Sequence, residues 1–279
     1  MIWNGIVNKL EFSGLLQKVK EIALSSFSII EGKKNEVTFF EKKDFSIVSE
    51  ADFETEAYIR ERLQALTPDI PVYGEELGCE IANDCQLYWL IDPIDGTTWY
   101  KLGIPVYGSL IALVKEGEPV IGTIGLPAIN TLVYAGKNEG CFIHTGDNSV
   151  RRLFTDADRA EAIRVEQATI TASGIHGTST WLENGDTPWN LIAVLESAKL
   201  FKFSGDCIQH VSVFNGSSDA AIDTIMKPWD SAAIIICARE AGFTVMDLNG
   251  NQQGILTSGN LLTAKNAHLA KDLINLLQA

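Results

Sequence analysis

Between residues 10 and 27, apolar side chains return every three or four positions. Leu15, Leu16, Val19, Ile22, Ala23 and Phe27 fall broadly on one side, which predicts an amphipathic helix. A second helix is expected after Asp52, where Phe53, Ala57, Ile59, Leu63 and Leu66 carry the same period until Pro68 stops it. From Val106 to Phe142 the pattern changes. Apolar runs are interrupted by Gly117, Gly122, Gly125, Asn130 and Gly136, and the spacing predicts a meander of strands over residues 106–114, 120–125, 132–135 and 141–143. The charged stretch 151–164 carries the least pattern and is read as a boundary between lobes. Beyond it, strands at 168–172, 200–203, 220–222, 244–246 and 261–264 alternate with helices at 190–196, from Cys207, at 231–241 and from Ala267. Such alternation predicts a mainly parallel sheet.

Composition narrows the class. A chain of 279 residues lies at the upper end for one core, so two closely packed lobes are expected, residues 1–150 and 151–279. With 46% apolar residues the chain can bury a sizeable core, yet no segment approaches the roughly 18 unbroken apolar residues of a membrane span. Residues 1–5 lack a basic start followed by a long apolar run, so no signal peptide and no membrane partner are expected. The five cysteines (Cys79, Cys85, Cys141, Cys207, Cys237) are scattered and include no CxxC, which predicts reduced thiols in a cytoplasmic protein. The net charge of −14 argues against nucleic acid, whose binding rests on neutralising phosphates with Lys and Arg.

Candidate chemistry concentrates in Trp89-Leu90-Ile91-Asp92-Pro93-Ile94-Asp95-Gly96-Thr97-Thr98. Asp92 and Asp95 face one point if the chain turns at Pro93, and hard cations such as Mg²⁺ take oxygen ligands from one or two carboxylates plus substrate phosphate. Gly96 and the threonines add backbone N–H groups and a hydroxyl beside that point, and a helix starting there would offer its N-terminus to an anion. Each residue alone fits an ordinary strand end and turn. A turn does not need two acids, a glycine and two threonines in this order. Further acids stand in Gly74-Glu75-Glu76, in Ser49-Glu50-Ala51-Asp52 and in Trp229-Asp230, where Asp230 by itself reads as a plain helix cap.

Together these motifs resemble the inositol monophosphatase family of metal-dependent, lithium-sensitive phosphatases. The family signature is Trp89 to Thr98, its Gly-Glu-Glu is Gly74-Glu75-Glu76, and its C-terminal Trp-Asp-x-Ala is Trp229-Asp230-Ser231-Ala232. The resemblance implies a two-lobed α-β-α-β-α layered sandwich, with an antiparallel N-terminal sheet and a mixed, mainly parallel C-terminal sheet. It implies two to three Mg²⁺ ions held by Glu75, Asp92, the carbonyl of Ile94, Asp95 and Asp230. Thr97, with Asp52 behind it, would orient the attacking water beside Glu75, and the Gly96–Thr97 amides would cradle phosphate. A homodimer is the implied assembly. Two positions depart from many members: Ser49 replaces Thr, and Asp223 replaces the Glu that touches the leaving group.

The chemistry of a phosphate monoester explains why such acids would gather. Without cations they would repel the anionic substrate; with them, the phosphoryl oxygens are neutralised and a bound water is acidified. The expected substrate is a small-molecule phosphate monoester. Phe203-Ser204-Gly205-Asp206-Cys207 and Lys227-Pro228-Trp229-Asp230 look most like the branch that cleaves histidinol phosphate. Asp206 would then pair with a cationic amine or imidazole; equally, it caps the following helix. Inositol monophosphate and related polyol phosphates stay close behind, and a regulatory role on the same fold is a further alternative. Nucleotide 3′-phosphates and fructose bisphosphate are weaker, for want of a basic cluster for a second phosphate. His144, His176, His210 and His268 show no zinc-binding spacing, although His210 lies just after Asp206. Ser173-Gly174 lacks the flanks of a nucleophile elbow.

Overall fold

The computed structural model describes residues 9–34, 37–43, 45–78, 85–155, 163–174 and 189–279. Asp44, Cys79, His176 and Trp181 fall outside the described residues. Helices α1 (Lys9–Lys33) and α2 (Glu50–Leu66) form the outer layer of the N-terminal half. Leu16, Val19, Ala23 and Phe27 are buried along α1 with Ile59 and Leu63 of α2, at the helical spacing the sequence displays, and Ile30 continues that face into a cluster with Ala51 and Ile94. α1 continues beyond the expected end at Phe27 because Ile30 still faces the core. α2 begins before Asp52: Ser49 is its N-cap and Asp52 closes the capping box. An antiparallel pair, β1 (Phe39–Glu41) and β2 (Ile47–Ser49), leads into it; each strand is too short for a period to show.

The helices cover a seven-stranded sheet: β3 (Val72–Gly74), β4 (Leu87–Asp95), β5 (Gly108–Lys115), β6 (Glu118–Leu126), β7 (Thr131–Gly136), β8 (Gly140–His144) and β9 (Val150–Leu153), adjacent in that order. Only β3 and β4 run parallel; the rest is an antiparallel meander. β9 occupies the first residues after the expected lobe boundary and pairs with β8, so the N-terminal sheet reaches Leu153. Its exposed Val150, Arg151 and Arg152 hide the strand from a hydrophobic pattern. The chain does not turn at Pro93. β4 runs on to Asp95, and its register against β5 shifts between Asp92 and Asp95. That bulge carries the chemistry-bearing residues.

The C-terminal half holds β10 (Thr169–Ser173), α4 (Leu191–Ser197), β11 (Leu200–Phe203), α5 (Asp206–Phe214), β12 (Ala220–Asp223), α6 (Pro228–Glu240), β13 (Thr244–Met246), β14 (Leu261–Ala264) and α7 (Ala267–Leu277). Its sheet has the order β11-β10-β12-β14-β13; β14 opposes both neighbours and the other four strands share one direction. α5 and α6 pack between the two sheets, while α4 and α7 pack together on the outside of the smaller one. The result is the expected α-β-α-β-α layering. α6 is buried without interruption from Ser231 to Ala238, as a helix between two sheets must be. It approaches β6 at Gly122, where a Cβ would stand 2.9 Å from the Cα of Ala233.

Candidate active site

Three carboxylates converge from separate elements. Glu75 follows β3, with its amide donating to Ile91 O at 3.1 Å. Asp92 lies on β4, and Asp230 is the third residue of α6. Ligand oxygens of Glu75, Asp92 and Asp230 all lie within 4.8 Å of one another. Asp230 is not the N-cap the sequence suggests: Lys227 is, and Asp230, in the first turn of α6, accepts the Lys227 amide at 2.7 Å. Asp92 is buried and its Oδ1 has no hydrogen-bond partner among the described residues. Burial first, then the charges of Glu75, Asp95 and Asp230, push Asp92 well above the usual carboxylate range. Burial also raises Asp230, to about 7, with Glu75 contributing. Lys42 meets this charge from the β1–β2 connection, donating to Glu75 Oε1 at 2.8 Å and Glu76 Oε1 at 2.6 Å. Burial alone would lower the Lys42 ammonium; the two glutamates outweigh it and raise it.

An orphaned buried oxygen inside three mutually repelling carboxylates fits a hard divalent cation, which takes an all-oxygen donor set. Glu75 is further fixed from behind. The buried carboxylate of Glu56 accepts the amides of Glu76 (2.8 Å) and Leu77 (3.1 Å), and its charge is paired with Arg60 Nη2 at 2.6 Å.

Thr97 opens the short helix α3 (Thr97–Lys101), whose N-cap Gly96 has φ +86°, a left-handed conformation that glycine adopts freely. The Thr97 hydroxyl stands 3.1 Å from Asp52 Oδ1 and 3.0 Å from Ile94 O. Asp52 is anchored by the Ser49 amide (2.7 Å) and hydroxyl (2.5 Å), so the serine hydroxyl suffices to hold it. Burial raises Asp52 to about 6 against the lowering effect of those bonds.

The fourth group lies toward the C-terminal lobe. Asp95 stands outside the three-carboxylate group: its Oδ2 accepts the Cys207 amide at 2.6 Å, tying the end of β4 to α5. Burial, then Asp206 and Asp230, raise it well above its ordinary range. Asp206 follows the N-cap Gly205 instead of capping α5 itself, and it sits at φ +51°. Burial raises it to about 6, opposed by a hydrogen bond from the Trp99 side chain. A Cβ at Gly96 would stand 2.6 Å from Asp206 Oδ2, so the Gly96 turn and this acid share one wall. Asp223, at the end of β12, is buried and raised to about 8 by burial, with Asp206 and Asp230 adding to the shift. His210 is a core residue: Nδ1 faces Thr263 Oγ1 at 2.9 Å, and burial lowers it to about 3.

Of the sequence-predicted residues, Glu75, Asp92 and Asp230 meet directly, and Asp52, Thr97 and Ile94 O form one hydrogen-bonded line. Asp95, Asp206 and Asp223 are coupled to the group through charge. Sequence reasoning missed Lys42 and Glu56. Lys42 leaves no signal in one chain. Glu56 does leave one, because an acid at i+4 from Asp52 shares the buried face of α2 with Ile59 and Leu63.

A layered α/β sandwich with three converging carboxylates, and a Thr97–Asp52 hydroxyl–carboxylate pair within charge range of them, defines a metal-dependent phosphoric monoester hydrolase. Residues 10–279 match the model of the inositol monophosphatase family, and the chain belongs to that family. It is 31% identical to a histidinol-phosphatase of Chlorobaculum parvum over 260 residues, 93% of this chain and 92% of that one. It is 29% identical to a fructose-1,6-bisphosphatase/inositol-1-monophosphatase of Thermotoga maritima, covering 88% of this chain and 87% of that protein. The crystal structure of extragenic suppressor protein suhB from Bartonella henselae superposes with a TM-score of 0.80 at 26% identity, covering 94% of this chain and 98% of that chain. Among the described residues no helix is long and apolar enough to cross a membrane.

Proposed function

We propose that this phosphatase hydrolyses histidinol phosphate with Mg²⁺ as its cation. The observation that carries the reading is a pair of acids, the half-buried Asp206 and the buried Asp223, whose charges reach Asp230 of the three-carboxylate group from its C-terminal side. A partly desolvated carboxylate discriminates a cationic from a neutral ligand by about 1–3 kcal/mol, or roughly ten- to hundredfold. The 31% identity to a histidinol-phosphatase agrees with it. Inositol monophosphate is the second reading, favoured by the 29% relative that carries that activity in its name. A polyol would use the same acids only as hydrogen-bond acceptors.

Glu75, Asp92, Asp95, Asp230 and the carbonyl of Ile94 would hold two to three ions. When bound, these supply charge neutralisation for the phosphoryl group and a lowered pKa for water. The chain's own residues handle the proton. The Thr97 hydroxyl directs its hydrogen to Asp52 Oδ1 or Ile94 O, which leaves its lone pairs open to accept from a water. As that water attacks, its proton passes to Thr97 Oγ1 while the Thr97 hydrogen moves to Asp52 Oδ1, whose value near 6 suits it to accept at neutral pH. The Gly96 and Thr97 amides, at the free N-terminal end of α3, orient phosphate oxygens. A homodimer is proposed on the family resemblance and is tested by sedimentation.

The substrate test compares kcat/KM for histidinol phosphate and inositol 1-phosphate in the wild type, Asp206→Asn and Asp223→Asn. The proposal expects a wild-type preference for histidinol phosphate that each substitution narrows about tenfold. A preference for inositol phosphate, or an undiminished preference in both variants, puts the polyol reading first.

A further inference from the structure

Asp223 is held asymmetrically by residues outside the proposed machinery. Its Oδ2 accepts the Ser173 hydroxyl at 2.7 Å and the Gln209 side-chain amide at 3.3 Å. Gln209 Nε2 also donates to Ser173 Oγ at 2.5 Å and to Ile222 O at 3.3 Å. Oδ1, by contrast, has among the described residues only a long contact of 3.5 Å from the Ile225 amide. Gly174 packs close to Oδ1, and a Cβ there would stand 2.5 Å from that oxygen, so no side chain of residue 174 intrudes on it. Ser173, Gln209 and Asp223 are all buried, at 8%, 1% and 4% exposure, so the arrangement is fixed by packing rather than by solvent.

The orientation of Gln209 has a cost. With Nε2 turned toward Ser173 and Asp223, Gln209 Oε1 is buried and has no partner among the described residues. A purely structural glutamine would normally satisfy both ends of its amide, and buried orphans concentrate where function imposes the geometry. The cluster also lies at the carboxyl ends of the parallel neighbours β10 and β12, the edge where open α/β sheets bind their ligands.

We infer that Ser173 and Gln209 are positioning residues that tie down one oxygen of Asp223, so that the other is presented in a fixed direction to the leaving group of the substrate. The inference rests on Asp223 being the leaving-group contact of the proposed function. It assigns selectivity to a relay that touches neither cation nor phosphate. Asp223 has a short side chain, and a short arm that cannot reorient must be aimed. Ser173 donates its only hydrogen to Asp223, and Gln209 holds the Ser173 oxygen so that this hydrogen has one acceptor.

The experiment uses the full chain with Mg²⁺ and three monoesters: histidinol phosphate, inositol 1-phosphate and p-nitrophenyl phosphate, whose leaving group carries neither an amine nor a ring of hydroxyls. Ser173→Ala and Gln209→Leu are expected to lower kcat/KM for the preferred alcohol monoester about tenfold, mainly in kcat. The expected change for p-nitrophenyl phosphate, and for the Mg²⁺ concentration giving half-maximal rate, is within about twofold. Ser173→Thr, which keeps the hydroxyl, should restore most of the loss. Equal losses on all three substrates, or a Ser173→Thr variant as impaired as Ser173→Ala, overturn the inference in favour of a merely structural role. Should Gln209→Leu fail to fold, the Ser173 pair decides alone. Asp223→Asn separates the two levels of the argument. If it is itself unselective, the reading of Asp223 fails; if it is selective while Ser173→Ala is not, only the positioning relay fails.

Discussion

Asp92 is the residue on which most of the site's electrostatics turn. Its Oδ1 is buried and unpaired among the described residues, and Glu75, Asp95 and Asp230 all raise it. Replacing it with Asn keeps the volume and removes the charge a divalent cation needs. Asp92→Asn is expected to lower kcat/KM at saturating Mg²⁺ by at least about hundredfold, measured as phosphate release. Near wild-type turnover would contradict its role as a ligand. Thr97→Ala removes the hydroxyl between Asp52 and Ile94 O but no ligand carboxylate. It should lower kcat about hundredfold while leaving Mg²⁺ affinity within about twofold by calorimetric titration. A larger loss in affinity than in turnover would move Thr97 into the metal shell. The ten residues from Trp89 to Thr98 carry this chemistry openly, because residues adjacent in sequence share the pocket. Lys42 and Gln209 were not legible. They act on acids 33 and 14 positions away, at Glu75 and Asp223, and no local pattern encodes such a pairing.

At the scale of elements, the site depends on how closely α6 can approach the seven-stranded sheet. Asp230 is carried at the start of α6, and Gly122 of β6 is the point of closest approach: a Cβ there would collide with Ile236 and press on Ala233. Gly122→Ala is therefore expected to destabilise the fold by about 1–3 kcal/mol through overpacking, read as a shift in the denaturant midpoint. Because the displaced helix bears Asp230, the half-saturating Mg²⁺ concentration should rise as well. An unchanged midpoint would mean that the layers have slack at this point. The caps were partly readable: Ser49 and Asp52 form a box that a Ser-x-x-acid string announces. The bulge between Asp92 and Asp95 was not, because Pro93 reads as a turn until β5 is placed beside β4 and holds it as a strand.

Across the whole molecule, the buried acids set a pH dependence whose sign follows from linkage. Burial raises Glu76 and Asp230 to about 7 and Asp223 to about 8, far above their ordinary values. In the unfolded chain these groups ionise near pH 4, so between pH 4 and pH 8 the folded state binds the extra protons and stability falls as pH rises. His210, lowered to about 3 by burial, opposes folding only below its ordinary value near 6.5 and is neutral in both states above it. The window from about 6.5 to 8 thus reads the carboxylates without interference from His210. In chelator, Tm should fall across that window. Mg²⁺ should raise Tm more at pH 8 than at pH 6.5, because the cation replaces the protons. A chelated Tm that is flat or rises with pH would show that these acids ionise freely in the folded state.

The sequence by itself determined most of the longer elements and pointed to the family, because helix period, strand runs and the Trp89–Thr98 string are local records of what each segment must bury or bind. The short β1 and β2 and the exposed β9 left no such record. Strand–helix alternation also announced a mainly parallel C-terminal sheet, while the layering came only through the family resemblance. Tertiary structure alone decided which acids meet. Glu75, Asp92 and Asp230 converge from β3, β4 and α6, yet Asp95, in the same ten-residue string as Asp92, is turned to the Cys207 amide instead. It decided the counter-charge from Lys42, the clamp of Glu56 behind Glu75, and the aim of Asp223. The physical reason is range. Backbone preference and burial act over a few residues and are written in them, whereas charge and hydrogen bonding act across space, between residues that only the packed layers bring together.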